Sequence, residues 1–253
     1  MQSADEFIEI GSGLLDTGKY EKAIDFFSKA IEAGSVSSRA YEYRGISYYK
    51  IYKIIEALQD FEKAVESDRL NHNAWYNKGE IHFQRKEFTK AEEAFLQANE
   101  IYPGSFVYLS ALAELNLKRK IYVQAINYCD AIINESPSDS IALQLRAFSY
   151  AGLKNFNAAI KDLVKIIVPG KSSAGDYNNL GYYYSNTGEL RKAENNLRIA
   201  LELNSSHPYA LNNLGYVCFI SKTTWRRPSA SSASHWKLTL PIPMLIKTGH
   251  WFT

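Results

Sequence analysis

Apolar residues recur at steps of three and four positions from the N-terminus to about residue 220, which is the period of an amphipathic helix. Short polar breaks interrupt these runs, as at Asp16-Thr17-Gly18 and Tyr102-Pro103-Gly104. Breaks such as Asp16-Thr17-Gly18 separate the two helices of a pair, and breaks such as Tyr102-Pro103-Gly104 separate one pair from the next. The pattern predicts an all-α chain made of antiparallel helix pairs.

The same pattern returns every 34 residues without a shift. Three columns define it, and each column holds one class of side chain. The first column is alanine, at Ala23, Ala57, Ala91, Ala125, Ala159 and Ala193. The second holds small residues, at Gly11, Gly45, Gly79, Ala113, Ala147, Gly181 and Gly215. The third holds mostly large apolar residues, at Phe27, Phe61, Phe95, Cys129, Leu163 and Leu197.

These side-chain sizes predict how the helices pack. Small residues on both helices of a pair allow the backbones to approach closely, and the large residue fills the space between neighbouring pairs. One pair cannot bury its apolar faces alone, so the pairs are expected to stack into a solenoid with a continuous core.

The columns resemble those of the tetratricopeptide repeat, which has the same period. The third unit matches best, at Trp75, Gly79, Ala91, Phe95, Ala98 and Pro103. The resemblance implies a right-handed superhelical solenoid over residues 1–220. Its units are expected at 4–37, 38–71, 72–105, 106–139, 140–173 and 174–207, with a half-repeat at 208–220.

The segment 221–253 departs from the repeat and is predicted to be an irregular tail, because Arg227 stands where the alanine column would continue. Three interpretations remain open: a low-complexity cap, a processed extension, and a shifted reading frame over another repeat. The frameshift is favoured, because a codon straddling Arg227 and Pro228 ends in CC and encodes Ala, Ser, Thr or Pro. A break here would leave the half-repeat without its second helix. Apolar surface around Leu211, Leu214 and Phe219 would then favour either homo-oligomers or docking of the tail.

The composition and charge of the chain argue against nucleic acid and membranes as partners. The 253 residues are 46% hydrophobic and carry a formal net charge of +2, which gives no electrostatic reason to expect nucleic acid or an anionic membrane. The N-terminus lacks the layout of a signal peptide, and no run is long and apolar enough to span a membrane. Cys129 and Cys218 lie far apart without a CxxC motif, so a reducing, cytoplasmic location is expected.

The sequence carries no recognisable catalytic motif. The five histidines form neither HExxH nor another metal-ligand spacing, and His82 shares a packing column with Tyr48 and Tyr184. We find no Gly-x-Ser-x-Gly motif and no dinucleotide fingerprint. We therefore expect a protein that is not an enzyme and uses no metal and no cofactor.

Candidate binding residues lie on the first helix of each unit, which lines the concave face of such a solenoid. Asn77, Asn179 and Asn213 stand two residues before the small column. The resemblance implies that asparagines here hydrogen-bond the main chain of an extended peptide, and an amide can both donate and accept. A local or inter-repeat hydrogen bond is an equally weighted alternative. Aromatic residues on the same face are candidates for side-chain pockets: Tyr49, Tyr76, Phe83, Tyr182 and Tyr216.

The sequence thus predicts a non-enzymatic interaction scaffold or adaptor that binds a peptide or a partner helix in its groove. Two alternatives are a regulatory or substrate-binding region of a larger enzyme and a self-assembling scaffold. The clamp by which some family members hold a chaperone's terminal carboxylate needs a lysine four residues before an asparagine. Those positions hold Ile8 and Ser12 here, so that ligand is not expected.

Overall fold

The computed structural model of the chain describes residues 3–34 and 37–225, and within them every regular element is a helix. The tail after Trp225 and its reading-frame hypothesis lie outside the described residues. The first helices of the units are α1 (Ala4–Asp16), α3 (Ser38–Lys50), α5 (His72–Gln84), α7 (Phe106–Lys118), α9 (Ser140–Gly152), α11 (Ala174–Asn186) and α13 (Pro208–Trp225). The second helices are α2 (Tyr20–Glu32), α4 (Ile54–Ser67), α6 (Phe88–Ile101), α8 (Tyr122–Glu135), α10 (Phe156–Ile166) and α12 (Leu190–Leu203).

Local side-chain signals set several helix starts. Ser3 accepts a hydrogen bond from the backbone N–H of Glu6, whose carboxylate accepts one from the N–H of Ser3. Ser173 and Asp176 form the same reciprocal arrangement before α11. Each such box satisfies two backbone donors that a helix end would otherwise leave free. The first helices begin at the first residue of each predicted unit.

The turn inside each pair forces one residue into the left-handed region. Gly18 and Gly188 occupy this position with φ values of +73° and +82°. The four units between them have residues with side chains there, at φ values of 60° to 63°: Tyr52, Lys86, Lys120 and Lys154. A side chain in this region costs about 1–2 kcal/mol, so helix packing imposes the turn on sequences that do not favour it.

The predicted columns form the core. All six alanines of the alanine column are fully buried, and the large column is buried as well. The glycines of the small column leave room for the large residues of the second helices, because a Cβ atom on Gly79 would lie 2.6 Å from the ring of Phe95. The chain is therefore a solenoid of antiparallel helix pairs, as the sequence predicts.

The first helices lie on the inner side of the curved stack. Successive first helices contact one another directly, as α1 does with α3 and α7 with α9. Across the described residues, successive second helices make no contacts of similar extent. Since the inner side of a curved stack brings its elements closer, the first helices line the concave face.

Two arginines, Arg44 and Arg146, pair with an aspartate of their own unit and also reach the preceding unit, a feature that the sequence analysis did not find. The guanidinium of Arg146 on α9 donates from Nε and Nη2 to both carboxylate oxygens of Asp162 at 2.8 Å, and from Nη1 to Asp130 of the preceding unit at 2.5 Å. Arg44 on α3 binds Asp60 in the same bidentate way and reaches Ser28 of the preceding unit at 3.0 Å. An aspartate 16 residues after each arginine is the sequence signal.

The last described helix is longer than expected. α13 continues to Trp225, whereas the half-repeat was expected to end at residue 220. The first proline after Pro208 is Pro228, so nothing in the local sequence stops the helix earlier. None of the helices in the described ranges is long and apolar enough to cross a membrane.

Candidate functional site

The predicted aromatic residues of the central units form a contiguous surface. Tyr76 and Phe83 on α5 both contact Phe95, with ring centroids 5.7 and 6.5 Å apart. Tyr49 on α3 is linked to α5 by a hydrogen bond that the side chain of Gln84 donates to its hydroxyl. The structure therefore brings Tyr49, Tyr76 and Phe83 together along α3 and α5.

Two carboxylates give this aromatic surface an acidic character. Burial raises the pKa of Tyr76 to about 12, and the charges of Glu80 on α5 and Glu114 on α7 add to the rise. Burial also raises the pKa of Glu80, as does repulsion from Glu114. Glu80 and Glu114 occupy equivalent positions in adjacent units, so the two negative charges face the same stretch of the groove.

A hydrogen-bond network around the buried Tyr108 adjoins the acidic stretch. The Tyr108 hydroxyl lies 2.6 Å from His72 Nδ1 and donates a hydrogen bond of 3.1 Å to Asn73 Oδ1. Tyr76 also contacts Tyr108, with a centroid separation of 5.4 Å. These contacts fix the orientation of the aromatic rings before any ligand is present.

A cavity of about 390 Å³ lies further along the stack, between the fourth, fifth and sixth units. It brings together two predicted binding residues, Asn179 and Tyr182 on α11. Gly152 at the end of α9 makes room for the wall of the cavity, because a Cβ atom there would lie 2.4 Å from the ring of Tyr122. The other lining residues are Leu117, Lys118, Lys120, Phe148, Ala151 and Tyr183.

The sequence analysis missed Phe148 and Tyr122 as binding candidates. Phe148 stands 34 residues before Tyr182, which stands 34 residues before Tyr216. This column was therefore the signal that could have identified Phe148. Tyr122 opens a second helix, and only the tertiary arrangement brings it to the concave side.

The predicted asparagines already make hydrogen bonds within the protein. Asn77 donates from Nδ2 to the backbone carbonyl of Asn73 at 2.9 Å. Asn213 donates from Nδ2 to Asn178 Oδ1 at 3.0 Å, which links α13 to α11. Asn178 in turn donates to Asn179 Oδ1 at 3.5 Å. The local and inter-repeat hydrogen bonds considered as the alternative are thus present, and a role in peptide binding stays a prediction.

The last predicted residue, Tyr216, lies on α13 with 56% of its surface exposed. Leu211 and Phe219 on the same helix are 52% and 51% exposed, and Leu214 is half-buried against α12. Tyr216 is not among the described residues that line the cavity. The structure therefore separates the candidates into a central aromatic group, the cavity and the C-terminal helix.

Two further titratable residues, His82 and Cys129, are buried in the core. His82 is buried, and its Nδ1 lies 2.8 Å from the Glu87 carboxylate. Burial raises the pKa of the Cys129 thiol to about 12, which makes it a poor nucleophile. Within residues 3–34 and 37–225, no three His, Cys, Asp or Glu side chains come together as a metal site.

Comparison with known proteins adds the family. Sequence models described as "Tetratricopeptide repeat" match residues 53–106, and also residues 7–33 and 177–207. Hsp70-Hsp90 organizing protein 3 of Arabidopsis thaliana is 32% identical over 109 residues, which are 43% of this chain and 20% of that protein. Protein O-mannosyl-transferase TMTC3 of Homo sapiens is 28% identical over 186 residues, 69% of this chain and 20% of that protein.

The chain therefore spans about a fifth of the length of these curated relatives. Among solved structures, YrrB, described as a TPR protein with an unusual peptide-binding site, superposes with a TM-score of 0.66 at 20% identity. The match covers 74% of this chain and 96% of YrrB, and at this identity it shows the fold alone. Together with the 34-residue columns and the stacked helix pairs, these matches show that the chain belongs to the tetratricopeptide repeat family.

Proposed function

We propose that the chain is a non-enzymatic adaptor that holds an extended peptide or a partner helix in its concave groove. The observation that carries the proposal is the cavity of about 390 Å³ in which Asn179 and Tyr182 meet Phe148 and Tyr122. The cavity supports the proposal because most of its lining residues lie on the first helices α7, α9 and α11, along which a ligand in the groove would run.

The cavity has the size and lining of a side-chain pocket. Ligand pockets occupy about 300–1,000 Å³ and are lined mainly by apolar and aromatic side chains with a few polar groups. Phe148, Tyr122 and Tyr182 supply the aromatic walls, and Asn179 supplies an amide at the edge. A large apolar side chain of the ligand would fill this space while the amide binds the adjacent peptide unit.

The charges of the groove would orient the ligand. Glu80 and Glu114 make the central units acidic, whereas Lys118 and Lys120 lie at the cavity. A ligand with a basic residue toward the central units and an acidic residue near the cavity would be complementary in charge. Charge pairing of this kind selects among ligands more than it adds affinity.

A chaperone's terminal carboxylate is not part of the proposal, although relatives of the chain are named for organizing Hsp70 and Hsp90. At the positions where the clamp needs a lysine and an asparagine, the chain has Ile8, which is buried in the core of the first unit, and Ser12. Neither side chain carries a charge for a carboxylate.

A second proposal is that the chain is the substrate-binding or regulatory region of a larger enzyme. The match over 69% of the chain to part of an O-mannosyl-transferase favours it. Under this proposal the same groove would bind the acceptor protein. Detection of a longer polypeptide that contains this sequence in cells would support it, and detection of this chain alone would oppose it.

Selection from a displayed peptide library on the purified chain tests the adaptor proposal. Peptides that are enriched should share a large apolar residue, and Asn179→Ala and Tyr182→Ala should each weaken their binding about 10-fold, as expected for loss of a central contact. Asn196→Ala is the matched control, because Asn196 lies on the second helix α12 and bonds the Lys192 carbonyl as Asn77 bonds that of Asn73. Equal binding to all three variants, or no enrichment, would contradict the proposal.

A further inference from the structure

The C-terminal helix α13 has a face that every earlier first helix has covered. In the first, second, third and sixth units, a Cβ atom on the glycine of the small column would lie within 3 Å of the large residue of the second helix. On α13 the equivalent residue is Gly215, which is exposed, and nothing lies within 4 Å of the position that its Cβ would take. The packing position is therefore present on α13, and none of the described helices lies against it.

The open face is apolar and its residues are evenly spaced. Leu211 lies four residues before Gly215 and Phe219 four residues after it, so the three lie in one stripe along the helix. Leu211 is 52% and Phe219 51% exposed, whereas Leu143 and Tyr177, which occupy the position of Leu211 in the two preceding units, are buried. The opposite side of α13, with Ala210 and Val217, is fully buried against the stack.

This stripe is complementary to itself. In an antiparallel pair of helices that cross at Gly215, the two glycines face each other and permit a close approach. Leu211 of one chain then lies against Phe219 of the other, and the two-fold axis generates this contact twice. No charged residue occurs between Pro208 and Ser221, so the pairing brings no like charges together.

We propose that two copies of this chain pair through α13 in a symmetric antiparallel contact centred on Gly215. The contact continues the helix-on-helix packing of the solenoid, with a second copy in the place that a second helix takes in the other units. The contact uses the side of α13 opposite Ala210 and Val217 and does not depend on the proposed function. A single pair of helices buries less than a stable interface of about 1,200–2,000 Å², so a dissociation constant on the order of 10 µM is expected.

Sedimentation velocity of the full chain between about 1 and 200 µM tests the pairing. The wild type should shift from monomer to dimer over this range, and Gly215→Leu and Phe219→Asp should remain monomeric throughout. Leucine favours the helix more than glycine does and meets open space, so Gly215→Leu is expected to fold, which circular dichroism verifies. Val164→Asp is the matched control, since Val164 is 51% exposed on α10, away from the stripe, and this variant should dimerise as the wild type does.

Cysteine cross-linking tests which residues of the two α13 helices face each other. Gly215→Cys, made with Cys218→Ser, should form a disulfide-linked dimer on mild oxidation because the two positions face each other at the axis. Val164→Cys in the same background should not. A wild type that stays monomeric at all concentrations, or a dimer that Gly215→Leu leaves intact, would overturn the proposal. Binding of a peptide with the α12 sequence to a monomeric wild type, lost in Gly215→Leu, would overturn self-pairing in favour of a separate partner helix.

Discussion

Glycine has opposite roles in this chain, and the difference depends on what faces each residue. Gly79 lies against the buried ring of Phe95, whereas Gly13 on α1 faces open space. Both are helical, so helix propensity alone would favour replacing either with alanine. The packing of the first and second helices reverses that preference at Gly79.

Gly79→Ala is therefore expected to destabilise the protein by about 1–3 kcal/mol, because the added methyl group would sit 2.6 Å from the fully buried ring of Phe95. Gly13→Ala should stabilise it by about 0.5–1 kcal/mol. Urea unfolding followed by circular dichroism measures both. A stabilising effect at Gly79 would show that the ring of Phe95 adapts, against the close packing described here.

The buried carboxyl group of Glu42 is expected to make the free energy of unfolding depend on pH. This carboxylate is 5% exposed, and burial raises its pKa above the ordinary value of 4.5, while a hydrogen bond from Asn71 opposes the rise. The folded state therefore keeps the proton to higher pH than the unfolded state does. The contribution of this group to stability is complete below pH 4.5 and is lost as pH rises through the pKa of the folded state.

Glu42→Gln should remove this loss, so the variant should be more stable than the wild type at pH 7 and closer to it at pH 4.5. Glutamine can still accept the hydrogen bond from Asn71. Unfolding free energies at the two pH values test the prediction, with Glu135→Gln on the exposed side of α8 as the control. An equal effect of Glu42→Gln at both pH values would contradict it.

At the scale of the element, the turn within each helix pair is where tertiary packing prevails over local preference. Lys154 has a φ of 60°, in the position where the first and sixth units have glycine. This strained conformation is retained because it lets the helices on either side run antiparallel in close contact. The turn sequence alone, with lysine or tyrosine at this position, does not indicate the left-handed conformation.

Lys154→Gly should stabilise the protein by about 0.5–1 kcal/mol, the relief of left-handed strain less the entropy of glycine in the unfolded chain. The same substitution within a helix should have the opposite sign. Lys161→Gly on the exposed side of α10 is expected to cost about 1 kcal/mol. Thermal unfolding of the two variants compares them directly, and a shared sign would contradict the assignment of strain to the turn.

At the scale of the whole molecule, the solenoid holds together through contacts between neighbouring units. Most of these contacts are apolar, but Arg146 connects the fourth and fifth units through Asp130 and Asp162. Asp162 is 3% exposed, and Arg146 lies 2.8 Å from its carboxylate. The hydrogen bonds that Arg146 donates to Asp162 and Asp130 accordingly raise the pKa of Arg146.

Arg146→Met should destabilise the centre of the stack by about 3–5 kcal/mol, because it leaves the Asp162 carboxylate buried without its partner. Lys63→Met is the control, since the exposed pair of Lys63 and Glu66 contributes at most about 1 kcal/mol. Hydrogen exchange of α8 and α10 measures the local effect. Unchanged protection of these two helices in Arg146→Met would rule out the coupling of units through this residue.

Sequence alone determined the helix pairs, their period and the core columns, because residue volume and helix-start signals act locally and repeat in every unit. It also placed Asn179 and Tyr182 on one helix face. Only the tertiary structure decided that Tyr122 and Phe148 join them around a cavity, that Asn213 bonds Asn178, and that Arg146 bridges two units. Each of these depends on which side chain of a different helix lies opposite, and that distance is set by the stacking of whole units.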